Sequence, residues 1–146
     1  MKKFLTFIVL SVSLFSDDII ISKSDYSVDK TIENIKTIVK AKGFGVFATI
    51  NHQENAKMVG MNLNESKLII FGNPKVGTLL MQEDMTIALD LPLRVLVFKD
   101  NEGQVNVAYR DGSWIKDHHF LKSDNLTNKI NAGMKKITDK ARTKAK

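Results

Sequence analysis

Three histidines carry the imidazole chemistry of this 146-residue chain, and their neighbourhoods differ. His52 stands at the end of a strand-like run beside Gln53, Glu54 and Asn55. An imidazole there could pass a proton; the plainer reading of a His in such a turn is a hydrogen-bonded cap. His118 and His119 are adjacent, so they do not share a helix face, and neither belongs to an H-E-x-x-H pattern. With Asp117 they amount to a weak surface metal pair at most. Asp90 lies in the apolar run Ile87-Ala88-Leu89-Asp90-Leu91-Pro92. A carboxylate there must be hydrogen-bonded, neutral, at a strand end or in use by a ligand.

Other spacings are weaker. Met58 and Met61 are three apart, Met81 and Met85 four apart. Paired thioethers suit cuprous copper or the axial position of a non-covalent haem. The apolar neighbours Val59, Leu79 and Leu80 favour core packing instead. Gly72-Asn73-Pro74-Lys75-Val76-Gly77-Thr78 has the two-glycine spacing of a phosphate loop, but Thr78 stands where that loop needs its Lys. This leaves a turn at a strand exit, with a helix start whose free N–H groups could hold a carboxylate or phosphate. No serine sits in a nucleophile elbow. The absence of Cys removes disulfide scaffolds, thiolate zinc, iron–sulfur clusters and covalent c-type haem.

These residues need elements to hold them. Ile19-Ile20-Ile21 opens a short strand ending at Ser24. Val28, Ile32, Ile35 and Val39 then recur at helical spacing, with Ser27 and Asp29 as possible caps and Gly43 as terminator. In Phe44–Ile50, the residues Phe44, Val46, Ala48 and Ile50 alternate against Gly45, Phe47 and Thr49, which predicts a strand. Lys67–Phe71 predicts another strand, Thr78–Met85 a short helix, and Thr86–Leu91 a strand stopped at Pro92. Leu93–Lys99 and Gln104–Tyr109 flank Asp100-Asn101-Glu102-Gly103 as a hairpin. A final helix starts near Asp124 with Ser123 as its cap, and its inner stripe is Leu126, Ile130, Met134 (or Gly133), Ile137 and Ala141. The expectation is a single α+β domain of β-α-β-β-β-β-α type, an antiparallel sheet with helices packed on one face.

The net charge of +6 sits at the ends of the chain. From Asp17 to Met134 there are 14 basic and 15 acidic residues. A body with no net positive field, and a basic tail free of aromatics, argues against nucleic-acid binding. The Lys-rich end at 135–146 reads as a solvated helix end, with a weak contact to an anionic surface as the alternative. Residues 1–16 join Lys2-Lys3 to the apolar run Phe4–Phe15, the pattern of a secretory signal peptide. Ser16 is one candidate last residue before cleavage; Ser13 with Ser11 is the cleaner small pair. The run is short for a permanent span and no second one follows, so residues 17–146 are expected as one exported domain, periplasmic or secreted. Absence of Cys fits an oxidising compartment.

Several stretches taken in order resemble one family. They are Asn51-His52-Gln53-Glu54-Asn55-Ala56-Lys57, Val59-Gly60-Met61, Leu68 through Met81, Ile87 through Val97, and Val105-Asn106-Val107-Ala108-Tyr109. Together with the helix Thr31-Ile32-Glu33 that ends at Lys42-Gly43-Phe44, they resemble the domain of unknown function 302 family over about Ser22 to Tyr109. The resemblance implies a small α+β domain, commonly a homodimer, with no established reaction. It maps the family's recurrent polar positions onto His52, Asn55, Asn73, Asp90 and Tyr109, a candidate ligand pocket. Two functions follow as expectations. One is a non-catalytic binding module for a small organic ligand or cofactor, acting as a homodimer. The other is an enzyme with His52 as general acid or base and Asp90 or Tyr109 as its partner.

Overall fold

A computed structural model describes residues 19–122 and 124–144. The expected signal segment, the Ser123 cap and the last two residues lie outside them. Five strands, β1 (Ile20–Lys23), β2 (Gly45–Asn51), β3 (Ser66–Gly72), β4 (Leu93–Lys99) and β5 (Val105–Tyr109), form one sheet in the order β1-β5-β4-β3-β2. Every neighbouring pair is antiparallel. Two long helices, α1 (Val28–Ala41) and α5 (Asn125–Arg142), accompany the sheet, with short helices α2 (His52–Met58), α3 (Pro74–Glu83) and α4 (Gly112–His118) between strands.

The sheet has one covered face. Ile69, Phe71, Val95, Val97, Val107 and Tyr109 alternate inward and are buried beneath Val28, Ile32, Ile35 and Val39 of α1 and Ile130, Met134, Ile137 and Ala141 of α5. Each such aliphatic or aromatic side chain contributes about 1.5–3 kcal/mol on full burial. The alternation places Ile50, Leu68, Ile70, Leu96 and Phe98 on the opposite face, where they are half-buried.

Local chemistry sets the boundaries. Ser27 Oγ accepts from Lys30 N at 3.2 Å to start α1. Gly43 follows that helix at φ 74°, a conformation that other residues adopt only under strain. Asp100 Oδ1 accepts from Glu102 N and Gln104 N to close the β4–β5 hairpin, with Gly103 at φ 84°. The basic end is tied down at several points. Lys135 and Arg142 both pair with Asp139 at 2.6 Å, and Lys144 N donates to Asp25 Oδ2 at 3.0 Å.

Three expectations need correction. Thr86–Leu91 is not a strand: Met85–Leu89 is a 3-10 turn. Asp84 Oδ1 accepts from Thr86 N at 2.9 Å and from Thr86 Oγ1 at 2.6 Å, which captures the backbone in a capped turn. The register of β2 shifts between Val46 and Ala48. Val46 therefore faces the core opposite Phe71, whereas Ala48 and Ile50 join the uncovered face, and Phe47 is 55% exposed. The methionine pairs are not core: Met58, Met61 and Met85 are exposed, and only Met81 packs against the core.

Candidate functional site

A cavity of about 450 Å³ opens where β3 runs into α3, between the end of the sheet, the 3-10 turn and α5. Its position follows from local signals. Gly72 ends β3, Asn73 Oδ1 caps α3 by accepting from Lys75 N at 2.9 Å, and Pro74 fills the first helical turn. α3 buries Leu80 and turns Val76, Gly77 and Met81 towards the cavity. Ala88, Leu91 and Pro92 supply a second wall, and Lys129, Ile130, Gly133, Met134 and Ile137 a third. Lys129 is the one charged residue in the lining, and it is solvent-exposed.

Gly133 is informative. A Cβ placed there meets nothing within 4 Å, so a larger residue would fit the backbone and project into open space. Glycine inside a helix costs about 1 kcal/mol relative to alanine. Within α5 that cost leaves the cavity wider on its helical side, one turn after Lys129.

A second cluster braces the 3-10 turn. His119 Nε2 lies 2.9 Å from Asp90 Oδ2, and His119 Nδ1 lies 3.2 Å from Thr86 Oγ1 and 3.6 Å from Asp84 Oδ2. Phe120 N donates to Asp84 Oδ2 at 3.0 Å, and Lys122 N to Glu83 Oε2 at 2.7 Å. The segment after α4 is thus stapled to both ends of the turn that walls the cavity. The side chain of His119 is only 7% exposed. The Thr86 hydroxyl, the Phe120 and Thr86 N–H groups and the nearby His119 hold the Asp84 carboxyl at about 2, against an ordinary 3.8. Trp114 stacks on His118 with ring centroids 4.3 Å apart and meets His119 edge-on at 6.4 Å.

The structure distributes the five sequence-derived positions over four places. His52 begins α2 and Asn55 lies on it, exposed; neither lines the cavity. Asn73 lines the cavity as the α3 cap. Asp90 follows the 3-10 turn and is engaged by His119 and Arg94. Tyr109 is buried in β5 opposite Val95. The pairing of His52 with Asp90 is not formed. His52 follows Asn51, which faces Lys67 and then Val97, whereas Asp90 precedes Leu93, which faces Phe71. The two are at opposite ends of the sheet.

His118 and His119 diverge: His118 Nδ1 lies 2.8 Å from Trp114 O, and His119 turns to the carboxylates. Among the described residues no group of three or more His, Cys, Asp or Glu side chains has the arrangement of a metal site. The Gly72–Thr78 loop is the strand exit and helix start of the plainer reading. Sequence reasoning missed α4, the His119 clamp and the role of Gly133. Asp84 and Thr86 form a capping spacing that is visible in the sequence, but their partners on 119–122 are not.

Comparison with known proteins places this architecture. The model of the domain of unknown function DUF302 matches residues 20–141. A crystal structure of an uncharacterized conserved protein DUF302 from Bacillus stearothermophilus superposes with a TM-score of 0.69 at 17% identity, covering 86% of this chain and 95% of that one. Proteins named fluoride-specific ion channel FluC 1 from Brucella suis and from Brucella abortus are each 39% identical over 109 residues, which is 75% of this chain. The chain spans 43% and 40% of their respective lengths.

Proposed function

The chain belongs to the domain of unknown function DUF302 family, and from that premise we propose that it is a non-catalytic module that binds a small apolar organic molecule. The observation that carries this is the cavity of about 450 Å³, walled by apolar side chains and widened by a helix-interior glycine. Its size lies within the roughly 300–1,000 Å³ of small-molecule sites, and such sites place few polar groups in an apolar lining. Asn73, Thr78 and Lys129 are the polar groups here. Haem is a poorer occupant than a small organic molecule, since no His lines the cavity to accompany its two thioethers, Met81 and Met134.

In this reading the domain is exported through its N-terminal apolar run and acts as a homodimer. The outer sheet face supports the second part: beside the groove at β4, β5 and α4 it carries Ile50, Ile70 and Phe98, half-buried in one copy, a surface suited to a second copy. Fluoride conduction is named for the Brucella proteins as wholes. Among the described residues of this chain no helix is long and apolar enough to cross a membrane, and the reading gives this domain no part in conduction.

Native mass spectrometry and an absorption scan of freshly purified protein test the ligand claim. The expected result is a co-purifying small molecule, or saturable enhancement of anilinonaphthalene sulfonate fluorescence, lost in Gly133→Leu. A clean apo mass with no enhancement would sink it. Sedimentation of Ile70→Lys tests the dimer, which should dissociate; N-terminal sequencing of the secreted product tests export.

A further inference from the structure

Away from the cavity, a groove of about 280 Å³ lies at the junction of β4, β5 and α4. Leu68, Leu96 and Ala108 form an apolar floor, and Arg94 and Arg110 both line it. The register that pairs Val95 with Tyr109 brings Arg94 and Arg110 to facing positions one step further on. Like charges facing each other across an antiparallel pair are destabilising. Neither guanidinium is fully engaged. Arg94 reaches Leu89 O at 3.2 Å and Asp90 Oδ1 at 3.5 Å through one nitrogen. The other oxygen of Asp90 is occupied by His119. Arg110 lies over the Trp114 ring at 4.8 Å from its centroid. The same indole stacks on His118, and the cation–π contact holds Arg110 in place.

We propose that this groove binds a small carboxylate with an apolar or aromatic body. The carboxylate sits between Arg94 and Arg110, which removes their mutual repulsion and supplies the planar acceptor that guanidinium forks match. The body lies on Leu68, Leu96 and Ala108. This site is independent of the cavity ligand. The shared chemistry, a carboxylate, could come from a free small molecule or from an acidic side chain of a second copy; the proposal is the free molecule.

Trp114 is the only tryptophan of the chain and lines the groove, so its fluorescence reports directly. Titrating the full-length protein with phenylacetate should shift Trp114 emission saturably, with phenylethanol at least about tenfold weaker. Arg94→Gln and Arg110→Gln should each weaken phenylacetate by about tenfold or more while leaving phenylethanol unchanged. Arg110→Lys should fall between, and Gly133→Leu should leave the response intact. Both arginines are exposed, so the variants should keep the wild-type melting temperature or exceed it. An absent response, equal responses to acid and alcohol, or a carboxylate response indifferent to the arginines overturns the proposal. So does loss of the response in Gly133→Leu, which would move the ligand to the cavity. Dissociation of a dimer by the arginine variants without any phenylacetate response would give the arginines to the interface instead.

Discussion

Two ends of one sheet start a short helix with the same signal and come to different ends. At one, Asn51 leaves β2 and caps α2 by accepting from Glu54 N at 3.1 Å. At the other, Asn73 leaves β3 and caps α3 by accepting from Lys75 N at 2.9 Å. α2 buries no residue, and its last residue Met58 and the following Val59 and Met61 face solvent. α3 buries Leu80, adjoins the braced 3-10 turn, and walls a cavity together with α5. The cap decides that a helix begins; what covers the helix decides whether a site forms. The covering at the second end comes from α4 and the segment after it, which reach Asp84, Asp90 and Glu83 from far along the chain.

The strongest way to break this contrast is to dislodge that cover. Gly112 begins α4 against α5, and a Cβ there would lie 2.2 Å from Thr127 O. Backbone cannot yield as a side-chain tip does, so Gly112→Ala should cost roughly 3 kcal/mol. Chemical denaturation checks the size. Loss of any cavity ligand in the same variant would confirm that α4 supports the second end.

Next in size is the clamp. His119→Ala leaves Asp90 and Thr86 without their imidazole partner and should destabilise the fold by about 2 kcal/mol. Hydrogen exchange should then rise at Met85–Leu89 before it rises in α2. Asp84 adds a pH signature at the same place. Its folded carboxyl is held at about 2, below the ordinary 3.8. The unfolded chain therefore takes up that proton first as the pH falls. The stabilisation from Asp84 is present above about pH 4 and is lost on the way down through 2. Asp84→Asn should flatten the acid limb of a stability–pH curve; an unchanged limb would show that the braced turn contributes nothing there.

Much of the scaffold is legible in the sequence because it is periodic. Val28, Ile32, Ile35 and Val39, and Ile130, Met134, Ile137 and Ala141, recur at helical spacing and are buried. The β4–β5 hairpin follows from its Asp-Asn-Glu-Gly turn. Periodicity failed where local hydrogen bonding overrode it, as in Thr86–Leu91, captured by the Asp84 cap. It failed again at Phe47, where one extra residue flips the faces of β2. The candidate positions were individually sensible polar interruptions, but the register separates His52 and Asn55 from Asn73 and Asp90. His119 has Asp117 and His118 beside it in sequence, whereas its partners lie 29 to 35 positions upstream, a pairing that no local pattern announces.

Smaller effects sharpen the comparison. Gly133→Ala keeps the helix, meets no neighbouring atom and should stabilise the protein by about 1 kcal/mol. A gain in melting temperature with weakened ligand uptake would mark the glycine as kept for the cavity rather than for the fold. At the other end of the sheet, His52→Ala should change stability by less than about 0.5 kcal/mol. α2 has no buried residue to lose, its cap is Asn51, and His52 lines neither hollow. Urea midpoints for His52→Ala and His119→Ala, measured side by side, make the decisive pair. A large loss at His52 equal to that at His119 would mean that both ends of the sheet are braced, and that the asymmetry on which the cavity reading stands does not exist.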